Sequence, residues 1–195
     1  MKRINVALLG QPNVGKSTLF NVLTNMRVEV ANWPGTTVEK HYGRRIHRGY
    51  IIEFVDLPGI YGFSTYTIEE KIARDYILSG EPDVILVLVD SLNPERTMYL
   101  ALLTLELTSR VIIVFTKYDV THSHGIHINL EVLERRLGVP VVAVSSVEGY
   151  GVNRLLDLII DIAESRSKSE SLSINYGELE PFIRDLTEII GKYRD

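Results

Sequence analysis

Five short apolar runs punctuate the chain, at Ile4–Leu9, Ile51–Val55, Val84–Val89, Val111–Phe115 and Val141–Val144. Each is near-continuous rather than alternating, the pattern of a strand covered on both faces, as in a parallel sheet. Between most of them the apolar positions recur with helical spacing, at Ser17–Thr24, Ile68–Leu78, Glu95–Leu107, Asn129–Leu137 and Val152–Glu164. The exception is 37–55, where two strand-like halves flank His47, Arg48 and Gly49 and read as an antiparallel hairpin. The pattern predicts an α/β fold: about six strands, mostly parallel with one antiparallel edge strand, and helices on both faces.

The periodicity stops after Glu164, where SRSKSESLS is polar and patternless, a linker in composition. Helical spacing returns from Glu178, with Leu179, Phe182, Ile183, Leu186, Ile189 and Ile190 on one stripe. The expected organisation is a domain over 1–165, a linker over 166–177 and an amphipathic helix over 178–195. That stripe has nothing in its own segment to cover it. It must pack back on the domain, pair with a second copy, or begin a longer piece.

Composition narrows the picture. At 195 residues, 45% hydrophobic and 24% charged, the chain has the make-up of a globular domain with a real core. A net charge of −4 speaks against a general nucleic-acid binder. Without cysteine there are no disulfides and no thiolate metal sites, which fits a reducing, cytoplasmic setting. The longest apolar run, Val84–Val89, falls far short of the roughly 20 residues that cross a bilayer. The opening MKRINVALLG is too soon interrupted for a signal peptide.

The chemistry lies at the ends of the apolar runs. Gly10, Gln11, Pro12, Asn13, Val14, Gly15, Lys16, Ser17 and Thr18 spell a G-x-x-x-x-G-K-[ST] loop between a strand and a helix. Its backbone N–H groups can cradle phosphates, Lys16 can reach the β/γ oxygens, and Ser17 can ligate Mg²⁺. DLPG, Asp56 to Gly59, offers a carboxylate for the Mg²⁺ shell and the Gly59 N–H for a γ-phosphate. TKYD comprises Thr116, Lys117, Tyr118 and Asp119. A carboxylate there can accept from guanine N1 and N2, which makes Asp119 the base selector. SSVEGYG offers Ser145, Ser146 and Val147, with the Ser146 N–H placed for guanine O6; alone it reads equally as a plain loop. All four sit at carboxyl ends of strands, where open α/β sheets bind ligands.

In order and spacing these motifs resemble the translation-factor-like P-loop GTPases, over residues 4 to about 164. ANWPGTTVEK, DLPGIYGFS and ARDYILSGEPDVILVLVDSLNPERTMYLAL narrow this further. They look like the G domain of ferrous iron transport protein B, FeoB, and INYGELEPFIRDLTEII is similar to the start of the helical spacer that follows it in that family. The resemblance implies a GTP-binding, slowly hydrolysing switch domain at the cytoplasmic face of the cell membrane. Its nucleotide state would be coupled to Fe²⁺ uptake by a membrane part absent from this chain. The other readings are a free-standing GTPase of ribosome assembly or tRNA modification, and a nucleotide sensor with little hydrolysis. Assembly of copies through the switch regions or the tail helix is a further expectation.

By the family pattern Thr37 is the switch I threonine on Mg²⁺, with Thr36 its competitor. Asn13 in such loops accompanies activation by K⁺, which its amide oxygen and carbonyls of 32–35, Trp33 among them, would hold. Alternatively Asn13 serves a left-handed turn and Trp33 anchors its loop. Lys16, Thr37, Asn13 and Gly59 are thus the candidate catalytic groups. The chain departs from the common pattern twice. Ile60 stands where many GTPases carry a glutamine, so slow hydrolysis is expected. Thr116 replaces the asparagine of NKxD, and its one hydroxyl can make only part of that residue's bonds, so weaker affinity and fast GDP release follow. Two further clusters read as solvated surface. These are the imidazoles of THSHGIHIN (His122, His124, His127) and the charges of EKHYGRRIHR, the latter with docking to acidic partners or lipid headgroups as the alternative.

Overall fold

A computed structural model describes residues 1–165 and 175–192. Most of the linker read from the sequence, and the last three residues, lie outside the described residues. Seven strands form one sheet in the order β2-β3-β4-β1-β5-β6-β7. They are β1 (Arg3–Gly10), β2 (Val28–Asn32), β3 (Glu39–His47), β4 (Tyr50–Asp56), β5 (Val84–Asp90), β6 (Val111–Thr116) and β7 (Val141–Ala143). The strands β4, β1, β5, β6 and β7 pair in parallel, while β3 runs antiparallel to both β4 and β2. The hairpin β3–β4 turns at Arg48 (φ 46°) and Gly49 (φ 82°), both left-handed as a two-residue hairpin turn requires.

The α/β expectation is met, with one strand more than the sequence pattern predicts. That strand is β2: VEVAN shows mostly exposed side chains and carries no long apolar run. The antiparallel edge is therefore a pair, and β2 shields β3. The charges of β3 stay exposed or half-buried, as a solvated face, and several of them find partners on neighbouring elements. Arg44 pairs with Glu53 at 3.4 Å, and Arg45 donates to the Val22 carbonyl at 3.1 Å. At the hairpin turn His47 and Arg48 both meet Asp157. The His47 hydrogen bond, together with the hydrogen bond and charge of Arg48, holds the Asp157 carboxyl below its usual value.

The helices are α1 (Lys16–Leu23), α2 (Ile68–Leu78), α3 (Pro94–Leu107), α4 (Leu130–Leu137), α5 (Val152–Glu164) and α6 (Glu180–Lys192). Because successive strand residues face opposite sides, the central strands build two cores at once. Val6, Leu8, Leu86 and Leu88 join one, covered by Leu19, Phe20 and Leu23 of α1 and Leu155, Leu156 and Ile159 of α5. Ala7, Leu9, Val87 and Val89 join the other, covered by α2 and α3. Local signals set the helix ends: the Thr67 hydroxyl accepts from Glu70 N, and the Asn129 side chain accepts from Val132 N. Helix α6 has no buried residue, and Phe182, Leu186, Ile189 and Ile190 of its stripe are exposed. Just before it, the Tyr176 hydroxyl donates to Glu106 of α3 at 2.6 Å.

Gly151 controls how α5 leaves the last loop. Its φ is +76°, and a Cβ there would lie 2.1 Å from the Ala143 carbonyl oxygen of β7. Both the backbone and the space demand glycine. Gly151→Ala is expected to lower stability by about 2 kcal/mol or more. Chemical denaturation of the two chains measures this; equal midpoints would show that β7 and α5 yield easily.

Candidate functional site

The first strand delivers the chain to the phosphate loop at Gly10. A Cβ at that position would come within 2.8 Å of Val14 Cγ2 and 3.2 Å of Leu88 Cβ, so only hydrogen fits. The loop then needs left-handed backbone at Asn13 (φ 67°) and Gly15 (φ 89°) before α1 begins. Asn13 thus occupies the turn geometry that favours asparagine, and its side chain is exposed. No side chain caps α1. Its first N–H groups, with the helix dipole behind them, are available to an anion.

Three other strand ends converge on this loop. The Asp56 carboxylate at the end of β4 pairs with the Lys16 ammonium, both largely buried. Beyond it Gly59 lies against the Pro12 backbone, where a Cβ would meet Pro12 N at 3.3 Å. The N–H of Ile60 donates to the Gly10 carbonyl at 3.2 Å, and the Ile60 side chain is buried in the core. At the end of β6 the Thr116 hydroxyl lies 2.5 Å from the Val14 carbonyl and 3.2 Å from that of Val89, two acceptors for one hydrogen. Lys117, left-handed at φ 56°, donates to the Asn13 carbonyl at 2.9 Å and to Asp90 Oδ2 at 2.8 Å. Threonine and lysine of TKYD thereby hold adjacent carbonyls of the phosphate loop.

These residues line a cleft of about 570 Å³: Pro12, Asn13, Gly15, Lys16, Ser17, Thr18, Gly59 and Lys117. Ser17 and Thr18 are exposed. Gln11 is buried instead, its Nε2 donating to the Arg96 carbonyl of α3 at 3.0 Å, so its side chain joins the frame behind the loop. Asp119 lies half-buried in a one-turn 3-10 helix after Lys117. Beside it Ser145 is buried, Ser146 half-buried and Val147 exposed. The two loops are joined by the Tyr118 N–H to the Val144 carbonyl at 3.3 Å and by stacking of Tyr118 on Tyr150, centroids 6.2 Å apart.

Trp33 and Thr37 are not among the residues lining the cleft. Trp33 is 6% exposed, packed edge-on to Tyr76 of α2 at 5.2 Å, with the Lys40 ammonium 4.6 Å from its ring centre. Burial pushes the Tyr76 hydroxyl up to about 12, so the ring under that ammonium stays neutral. The Trp33 carbonyl accepts from both N–H and hydroxyl of Thr36, at 3.0 and 3.1 Å. In this arrangement it is committed to the turn, and Thr37 stands exposed beside it. The single tryptophan anchors its loop.

The residue that motif reading passed over is Asp90. The run Val84–Val89 ends on it, and that position was its only signal. The buried Ser91 Oγ and Gln11 Oε1 beside this frame have no partner among the described residues. Likewise no group of three His, Asp or Glu among the described residues is placed to hold a metal, and His124 Nδ1 instead meets the Val120 carbonyl. No helix of the described residues is long and apolar enough to cross a membrane.

Residues 4–159 match the family model described as ferrous iron transport protein B. The Fe(2+) transporter FeoB of Helicobacter pylori strain 26695 is 37% identical over 178 residues, which are 89% of this chain and 28% of that protein. That of Escherichia coli K12 is 40% identical over 159 residues, 80% of this chain and 21% of that protein. The chain thus spans about a quarter of the length of these relatives. The cytosolic domain of the T. maritima FeoB iron transporter in a GDP form superposes with a TM-score of 0.92 at 42% identity, covering 95% of this chain and 74% of that one. Its GMPPNP form gives 0.90 at 42%, covering 95% and 73%. The chain belongs to the ferrous iron transport protein B family.

Proposed function

We propose that this chain is a GTPase switch domain that binds GDP and GTP in the Gly10–Thr18 cleft and hydrolyses GTP slowly. One observation carries the reading: four loops that could hold phosphate, metal and guanine meet at the carboxyl ends of parallel strands. There Thr116 and Lys117 tie TKYD to the phosphate loop, Ile60 ties DLPG to it, and Tyr118 joins TKYD to the last loop. That similar cytosolic domains exist in GDP and GMPPNP forms supports it. In the intact protein this domain lies at the cytoplasmic face of a polytopic membrane part, and the nucleotide state controls Fe²⁺ passage. Residues 178–195 begin the helical spacer, whose remainder covers the exposed stripe of α6.

The reaction is attack of water on the γ-phosphorus, with cleavage of its bond to the β,γ-bridging oxygen and release of GDP and phosphate. Lys16 shifts from Asp56 to the β/γ oxygens, and the α1 N–H groups and that of Gly59 bind the phosphate oxygens. Ser17, Asp56 and Thr37 are hard oxygen donors suited to Mg²⁺, which when bound neutralises charge on the β- and γ-phosphates. Ile60, buried and apolar, cannot orient the water, which accounts for a slow rate. The exposed Asn13 amide fits K⁺, whose charge would stand in for an arginine finger. For the Trp33 carbonyl to join it, the turn made with Thr36 must open.

Asp119 accepts two hydrogens from guanine, so Asp119→Asn is expected to move preference toward xanthine nucleotides. Competition binding with GDP and XDP measures it, and unchanged selectivity means the base is read elsewhere. GTP turnover should be faster in KCl than in NaCl at equal ionic strength; equal rates remove K⁺ from the mechanism. Since Trp33 is the chain's one tryptophan, replacing GDP by GMPPNP with Mg²⁺ should change its emission as the turn opens. Identical spectra in the two states would mean that Trp33 stays seated while Thr37 moves.

A further inference from the structure

Asp90 closes β5 behind the cleft and is 4% exposed. A carboxylate so buried stays charged only if its oxygens are paired. Oδ1 accepts from the Leu92 N–H at 3.0 Å and Oδ2 from the Lys117 ammonium at 2.8 Å. The same ammonium reaches the Asn13 carbonyl at 2.9 Å. One cation therefore joins the end of β5, the phosphate loop and the TKYD loop. Both loop residues it joins, Asn13 and Lys117, carry the left-handed backbone that L-residues avoid. Immobilising a lysine stem costs about as much rotamer freedom as one hydrogen bond from its ammonium to a carbonyl returns. The carboxylate tips that balance, so the Lys117–Asn13 tie depends on Asp90.

We propose that Asp90 is a positioning residue for nucleotide retention, acting through Lys117. By fixing the ammonium on the Asn13 carbonyl, it makes the phosphate loop and the base-reading loop close as one body. Asp90 is not among the residues lining the cleft. The inference rests on the guanine-nucleotide reading above, but its consequence has a distinctive sign. Removing a negative charge near an anionic ligand should, by Coulomb attraction alone, tighten binding. Loss of positioning loosens it.

The experiment is dissociation of mant-GDP from the whole chain and its Asp90→Asn, Lys117→Met and doubly substituted forms, with thermal unfolding alongside. Asn at 90 keeps an oxygen for the Leu92 N–H and loses the ion pair. Asp90→Asn is expected to speed release roughly ten- to a hundredfold, the range of a lost charge-assisted hydrogen bond. The turnover rate at saturating GTP should change far less. In the Lys117→Met background, the same substitution should change release by less than about twofold, as expected of residues acting in one network. Unchanged or slower release in Asp90→Asn, or equal factors in both backgrounds, overturns the proposal. If the unsubstituted chain binds no mant-GDP, the guanine reading falls and this inference with it; binding that ignores residue 90 sinks this inference alone. Should Asp90→Asn not fold, the ¹⁵N signal of the Lys117 ammonium in the unsubstituted chain decides. Slow solvent exchange supports the bridge, and an ammonium exchanging freely overturns it.

Discussion

The phosphate loop keeps its shape because neighbouring strand ends hold it from outside. Its own bonds are too few to fix a segment that turns left-handed at both Asn13 and Gly15. Thr116 holds the Val14 carbonyl, Lys117 the Asn13 carbonyl, and the Ile60 N–H the Gly10 carbonyl. Space closes from the remaining sides, with Leu88 against Gly10 and Pro12 against Gly59. Each of these groups ends or follows a parallel strand next to or near β1. The sheet order therefore decides which side chains can brace the loop, and the packed faces of β1 and β5 set their separation.

The sequence disclosed what is periodic and hid what is only spatial. Near-continuous runs marked β1, β4, β5, β6 and β7, because strands buried on two faces leave no room for polar positions. Helices α2 and α5 begin and end where their spacing does, at Ile68–Leu78 and Val152–Glu164. β2 escaped because an edge strand with exposed side chains need not be apolar. Of the site, the phosphate loop and DLPG were legible as motifs. Asp90 was not: its role comes from an ammonium delivered by a strand 27 positions away in sequence. Gln11 shows the opposite limit, since a motif position was legible but its direction, toward Arg96, was not.

The departure at Thr116 also changes meaning in three dimensions. From sequence, a single hydroxyl in place of an amide can make only part of that residue's bonds to the base and the phosphate loop. In the fold that hydroxyl is buried and spent on the phosphate-loop carbonyl, sharing its one hydrogen with Val89. It can offer that hydrogen to nothing else. Whatever the asparagine of other GTPases contributes to the base is absent here, while the brace on the loop is retained. Any weakness in nucleotide retention would thus arise on the base side of the cleft, since Thr116 and Lys117 both still tie the base-reading loop to the phosphate loop.

Trp33 and Ile60 pose one problem seen from two ends. Both belong to the same buried cluster, on the face covered by α2 and α3. Ile60 gains its burial by giving up any part in orienting water. Trp33 gains its own by seating a loop whose exposed member, Thr37, would have to move to reach a metal shell. Withdrawing the indole from the core would cost roughly 1.5 to 3 kcal/mol of hydrophobic burial, besides its contact with the Lys40 ammonium. On the proposed reading, a bound γ-phosphate would offset that through Thr37 and the ions around it. Tight seating would then slow entry into the reactive state, and the lack of a glutamine would slow the chemistry once there. A domain so built would give up speed at two successive steps, which suits a timer of nucleotide state better than a fast catalyst.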